Sequence, residues 1–206
     1  MNTFKNTLCF ICVLLLSACQ TYDVVHEEVS DMTSGAVNLP PVGLEASEAL
    51  LNSPCPSVEI VDDLSSLSDF ISPKKQTKSN LVSRVDLVSA ESTCKLASKS
   101  AIVDLKLVFN GSLGNKGRKN SSDKPFFSYP FFVAVASPSG KILAKEIFAA
   151  SMTFGAQETT HSYFEKLRQI IPINSKDNAH RYRVLIGFQV TPDQLSYNRT
   201  NMVPVK

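Results

Sequence analysis

The chain has no tryptophan, only three histidines, and 8 glycines and 11 prolines in 206 residues. That glycine and proline content is too low for a low-complexity or collagen-like chain. The histidines, His26, His161 and His180, stand at no metal-ligand spacing from a cysteine, and no Cys-x-x-Cys pair occurs. A surplus of one charge is also missing: 21 basic against 19 acidic residues leaves +2. The charges are spread along the chain, whereas a nucleic-acid binder clusters its basic residues. No apolar run approaches the ~20 residues that a membrane-spanning helix needs. Nucleophile-elbow, His-Glu-x-x-His and phosphate-loop motifs are absent as well. The sequence therefore points to no enzyme, no metal, no cofactor and no nucleic-acid partner. What is present is a 43% hydrophobic chain, long enough for one globular domain with a tail.

Residues 1–7 carry one charge, Lys5, and residues 8–16 (LCFICVLLL) are apolar without interruption. A basic start, a short apolar middle and a small-residue exit mark a secretory signal. The exit reads Leu16-Ser17-Ala18-Cys19. It resembles the lipobox of bacterial lipoproteins, a resemblance confined to the first 19 residues. It implies a diacylglycerol on the Cys19 thiol, cleavage before Cys19, and acylation, palmitate for example, of the new amino terminus. One acyl chain at ~0.8 kcal/mol per buried CH₂ binds marginally, and several anchor durably. The next residue is Gln20 and not Asp, which by analogy with enteric sorting implies a periplasm-facing outer-membrane location; the inner membrane and the cell surface are the alternatives.

Five cysteines remain to be placed. Cys9 and Cys12 leave with the signal and Cys19 takes the lipid. Cys55 and Cys94 are the even remainder, which in an exported chain reads as a disulfide. Closing the loop between them stabilises by ~3–4 kcal/mol in the chain-entropy picture. The alternative is a metal or catalytic pair.

The expected organisation is a signal at 1–18, a lipidated tether at 19–54, a domain at 55–200 and a tail at 201–206. The tether holds Pro40-Pro41, a linker feature or a docking motif, and a short helix at 45–51. From Cys55 onward strands are expected at 57–61, 81–88, 101–109, 129–136, 141–148 and 181–191. Val103, Leu105, Leu107 and Phe109 alternate with polar residues at the period of a half-buried strand. Ser137-Pro138-Ser139-Gly140 is a hairpin turn. Residues 163–173 fit either a helix or a strand, and 72–80 read as a loop. Short strands without helical crossovers predict an all-β, antiparallel β-sandwich, with an immunoglobulin-like topology as the leading candidate.

Residues 110–119 place three glycines among Lys116, Arg118 and Lys119. This is either a backbone nest for an anion or a solvated loop. The aromatic run at 126–132 packs in the core, with Phe127 and Phe132 as the exposed exceptions, or forms a partner patch. Glu158 and Glu165 flank His161 at no recognised catalytic spacing. The closing segment with Tyr197, Asn198 and Arg199 is a recognition tail or a cap on the sandwich. Taken with the lipobox and Cys55-Pro56, it resembles a group of proteobacterial, especially alphaproteobacterial, envelope lipoproteins; the resemblance implies location and not mechanism.

Two functions follow from the sequence. One is a non-catalytic structural or assembly module in the cell envelope, held to the membrane by lipid and binding another envelope protein. The other is a glycan- or anionic-ligand-binding module that uses the 111–119 loop, with Lys116, Arg118 and Lys119, and the nearby aromatics. Both rest on the anchor. Cys19→Ser should shift the protein from the membrane to the soluble fraction and abolish acyl labelling; unchanged fractionation would refute lipidation.

Overall fold

A computed structural model describes residues 54–201. Cys19, the tether with Pro40-Pro41, and the helix expected at 45–51 lie outside the described residues. Eight strands are found among the described residues: β1 (Ser57–Ile60), β2 (Ser66–Phe70), β3 (Leu81–Leu96), β4 (Ser100–Leu113), β5 (Phe126–Ala136), β6 (Ile142–Thr153), β7 (Thr160–Pro172) and β8 (Arg183–Phe188). One sheet runs β1-β8-β5-β6 and the other β2-β3-β4-β7. Every pairing is antiparallel except β1 with β8. The all-β sandwich is thus the architecture. Its strand order is not the immunoglobulin one, which puts the second and third strands in opposite sheets. Here β2, β3 and β4 form a meander within one sheet.

The alternation in β4 explains the packing. Ala101, Val103, Leu105, Leu107 and Phe109 are all buried and meet Phe131, Val133, Val184, Ile186 and Phe188 of the facing sheet. Phe109 lies 4.9 Å from Phe131 and 5.8 Å from Phe188, ring centre to ring centre. Each such side chain contributes about 1.5–3 kcal/mol by leaving water.

Several elements differ from the sequence expectation: β2 has no counterpart among the expected strands, β4 and β6 run past their expected ends at 109 and 148, and β5 begins at 126 and not at 129. β3 continues past Val88 to Leu96 through a bulge between Leu87 and Ser89. Its second half is mostly polar because it is held by backbone pairing to β4 and buries little. Residues 163–173 belong to strand β7. The apparent helical spacing mixes two faces: Leu167 and Ile171 face the core, whereas Phe164 and Ile170 face outward. The strand expected at 181–191 is shorter, being preceded by a 3₁₀ segment at Lys176–Arg181.

The polar C-terminal run is an α-helix, α1 (Pro192–Asn201). Thr191 and Gln194 form a reciprocal capping box: the Gln194 N–H donates to Thr191 Oγ1 at 3.3 Å, and the Thr191 N–H donates to Gln194 Oε1 at 2.9 Å. Pro192 at the first helical position supplies a preset φ. The helix closes over the start of β2. Buried Asn198 donates to the carbonyls of Asp63 and Ser66 at 2.9 and 2.8 Å and accepts from the Ser66 hydroxyl. Arg199 pairs with Asp63 at 2.7 Å, and Tyr197 meets Phe70 edge-on. These residues cap the sandwich, the second of the two readings open from sequence. Burial pushes the Asp69 carboxyl up, and the Gln194 amide opposes that rise.

Cys55 and Cys94 are joined, with their Cα atoms 6.2 Å apart. The bridge ties the entry to β1 in one sheet to β3 in the other. It spans 39 residues, so the Cys55→Ala/Cys94→Ala protein should lose about 4 kcal/mol of unfolding free energy in the chain-entropy picture. Urea unfolding followed by circular dichroism measures this; an unchanged midpoint would show that the bridge does not restrain the unfolded chain.

Candidate functional site

The strand ends place the sequence-selected loop at one pole of the sandwich. The start of β3, the end of β4, the start of β5, the end of β6 and the start of β7 converge there. Beyond β4 the chain stays ordered by backbone bonding. Gly114 N–H donates to the Val82 carbonyl at 2.8 Å, and Lys116 N–H donates to that of Leu81 at 2.9 Å. A Cβ at Gly114 would collide with the Leu81 carbonyl, so the approach requires glycine. The amides of Gly114, Lys116 and Gly117 are spent on carbonyls, whereas an anion nest needs free amides. The segment is a backbone-tied loop whose lysines stay exposed to solvent.

The side chains instead form a cleft of about 440 Å³ lined by Val82, Lys116, Arg118, Lys119, Lys124 and Phe126, among others. Lys116, Lys119 and Lys124 are exposed, and none joins an ion pair among the described residues. Arg118 is built differently. Its Nη2 donates to the carbonyls of Gly155 and Glu158, both at 2.8 Å, and ties the 110–119 segment to the β6–β7 turn. Its Nε–H is buried without an acceptor. Of the three cations selected from sequence, Lys116 and Lys119 are free to meet a ligand, and Arg118 mainly holds the wall. Asp123 also lines the cleft, but its carboxylate accepts from the backbone amides of Asn120 at 2.8 Å and Lys119 at 3.2 Å. Those bonds, the Asn120 amide first, hold its carboxyl below the usual range.

The aromatic run packs largely as core, with a correction to its exposed members. Phe126 is 62% exposed, whereas Phe132 is 8% exposed. Phe127 is half-buried against Tyr129 and Phe154. Phe132 lies beneath the Lys145 ammonium, 4.5 Å from its ring centre. Phe126, at the first position of β5, is left on the rim of the basic cleft.

His161 meets Glu158 at 2.9 Å, and Glu165 accepts from the Tyr163 hydroxyl at 2.5 Å. The neighbouring Ser162 hydroxyl donates to Asn110. Glu158 Oε2 also accepts the Gly155 N–H at 2.5 Å, so this carboxylate organises a turn. Among the described residues no three His, Cys, Asp or Glu side chains converge as a metal site. No helix there is long and apolar enough to cross a membrane. A second cavity, about 640 Å³, lies on the outer face of the β3-β4-β7 sheet. Its charges are largely matched: Lys106 with Glu91 at 3.1 Å and Arg168 with Asp104 at 2.6 Å.

Lys124 was not singled out by sequence reasoning, and Phe126 stood only as a member of the aromatic run at 126–132. Lys124-Pro125 directly before an aromatic strand was the available signal: proline fixes where the strand begins and leaves its first ring at the margin. The Thr191-Pro192-Asp193-Gln194 capping box was likewise legible, although α1 shows no apolar periodicity.

The Gly155 amide, followed by His161, lowers the Glu158 carboxyl below its usual 4.5. A depressed carboxyl contributes stability above its unfolded pKa, and that contribution is lost as pH falls through the folded one. Glu158→Gln should therefore destabilise the fold at pH 7, with the gap from wild type narrowing by pH 3. Thermal unfolding at the two pH values tests this; a gap independent of pH would remove Glu158 as the source.

Comparison with protein-family models, with characterised proteins and with solved structures finds no match, so the reading of this site rests on its geometry.

Proposed function

We propose that this protein is a non-catalytic interaction module of the bacterial cell envelope, anchored through lipid on Cys19 and presenting its sandwich to an envelope protein. The observation that carries the reading is the edge strand β6. Among the described residues it pairs only with β5, and its stretch from Ile142 to Ile147 is exposed at every position. Ile142, Leu143 and Ile147 are 47%, 49% and 60% exposed. An unpaired strand edge offers a row of backbone donors and acceptors to an added strand, and apolar side chains along it supply specificity pockets. Lys145 and Glu146 interrupt the row, as charges on natural edges do to limit self-association. Of the other edges, β1 has 4 residues and the 5-residue β2 lies against α1; β7 is as long as β6, with 13 residues, but its exposed positions alternate with partly or fully buried ones.

The anchor and the edge divide the work. Lipid on Cys19 keeps the domain at the membrane, where its effective concentration for a membrane-bound partner is raised. Gln20 favours the outer membrane as that location.

A photo-crosslinking residue at Leu143 should capture one discrete envelope protein in living cells. The Ile142→Lys/Ile147→Lys protein should lose most of that adduct while unfolding at the wild-type temperature, since both side chains are half-exposed. Undiminished capture by the double variant would refute docking at β6.

A further inference from the structure

We infer that the cleft between residues 116–119 and 124–127 is a binding site for an anionic sugar, with Lys116, Lys119 and Lys124 holding a phosphate or carboxylate and the Phe126 ring lying against the sugar face. This goes beyond the docking role of β6 and does not depend on it.

Charge concentration is the first support. Four cations and one carboxylate line the cleft, a local excess of +3, whereas the whole chain carries +2. The carboxylate, Asp123, is turned to the backbone amides of Lys119 and Asn120, so it does not neutralise the lysines by direct pairing. Lysine ammoniums are compact charges on flexible stems, suited to an oxyanion approached from several sides. Arg118 contributes the fourth cation from the wall of the same cleft, its guanidinium held by the Gly155 and Glu158 carbonyls.

The second support is the ring. Phe126 is a large apolar side chain left 62% exposed at the cleft lip, backed by the half-buried Phe127. The axial C–H bonds on one face of a pyranose pack on an aromatic ring, while the hydroxyls at its edge stay in water. A bare oxyanion has no use for that ring. A bilayer surface would call for a projecting apolar set, and here a single exposed ring borders a concavity. About 440 Å³ falls in the small-ligand range of ~300–1,000 Å³. The backbone ties at Gly114, Lys116 and Arg118 set the cleft walls in advance, which lowers the ordering cost of binding.

The test uses the purified full chain and isothermal titration at low salt. N-acetylmuramic acid and glucosamine 6-phosphate should bind saturably, and more weakly as salt rises. N-acetylglucosamine and inorganic phosphate should each bind at least about tenfold more weakly. Lys116→Gln/Lys119→Gln/Lys124→Gln should lose at least about tenfold in affinity for both anionic sugars, and the corresponding triple Arg protein should retain it. Phe126→Ser should weaken the sugars and leave inorganic phosphate unchanged. Equal affinity for the neutral sugar, equal affinity for phosphate, or an unaffected triple Gln protein of wild-type thermal stability would each overturn the inference. So would lysine-dependent binding to phosphatidylglycerol vesicles without sugar binding. Cosedimentation with peptidoglycan fragments or with lipopolysaccharide assigns the source of the sugar; cosedimentation with neither overturns an envelope ligand. The Ile142→Lys/Ile147→Lys protein should bind the sugars normally, which separates failure here from failure of the β6 reading.

Discussion

The structure depends on one act of burial: the inward face of β4 against β5 and β8. Val103, Leu105, Leu107 and Phe109 all stand within 2% exposure, and the rings of Phe131 and Phe188 close on Phe109. A one-residue slip of β4 would turn Asp104 and Lys106 into that interface, so this face sets the register of its neighbours. β3 and β7 then align along β4, and every loop position follows from where these strands begin and end. The disulfide is secondary to this arrangement. It joins the sheets at the end where the chain enters, and it restrains the unfolded chain more than it shapes the folded one.

The sandwich consequently has two unlike ends. Cys55 and the turns after β3, β5 and β7 lie at one. The basic cleft, Phe126 and the Glu158 turn lie at the other. β4, with 14 residues, separates them by roughly 45 Å at ~3.3 Å per residue. The proposed protein-docking edge β6 runs between the two ends. A domain entered at one pole, open along an edge and basic at the far pole can engage partners at separate places at once. That separation suits the proposed docking and sugar-binding roles.

Much of this organisation was readable along the chain. Period-two alternation located β4, β5 and β8 because both sheets are half-buried, and burial on one face writes the pattern into the sequence. The even cysteine remainder named the bridge. Other features were hidden for physical reasons. The second half of β3 buries little, so it carries no alternation. β7 puts Phe164 and Ile170 on its outer face, and those exposed apolar residues blur its period. α1 is held by capping and by the hydrogen bonds of Asn198 and Gln194, and hydrogen bonds leave no hydrophobic period.

The sequence by itself determined an all-β domain, through period-two alternation; it favoured a Cys55–Cys94 bridge over a metal or catalytic pair, through the cysteine remainder, and it set Lys116, Arg118 and Lys119 in one loop, through adjacency. Tertiary structure alone decided that the second, third and fourth strands share a sheet. It also decided that Arg118 braces a turn while Lys116 and Lys119 stay free, and that Lys124 and Phe126 complete the cleft. Those outcomes depend on which backbone carbonyls and which strand ends come together in space. Burial and backbone pairing between distant segments decide that, and no local pattern encodes it.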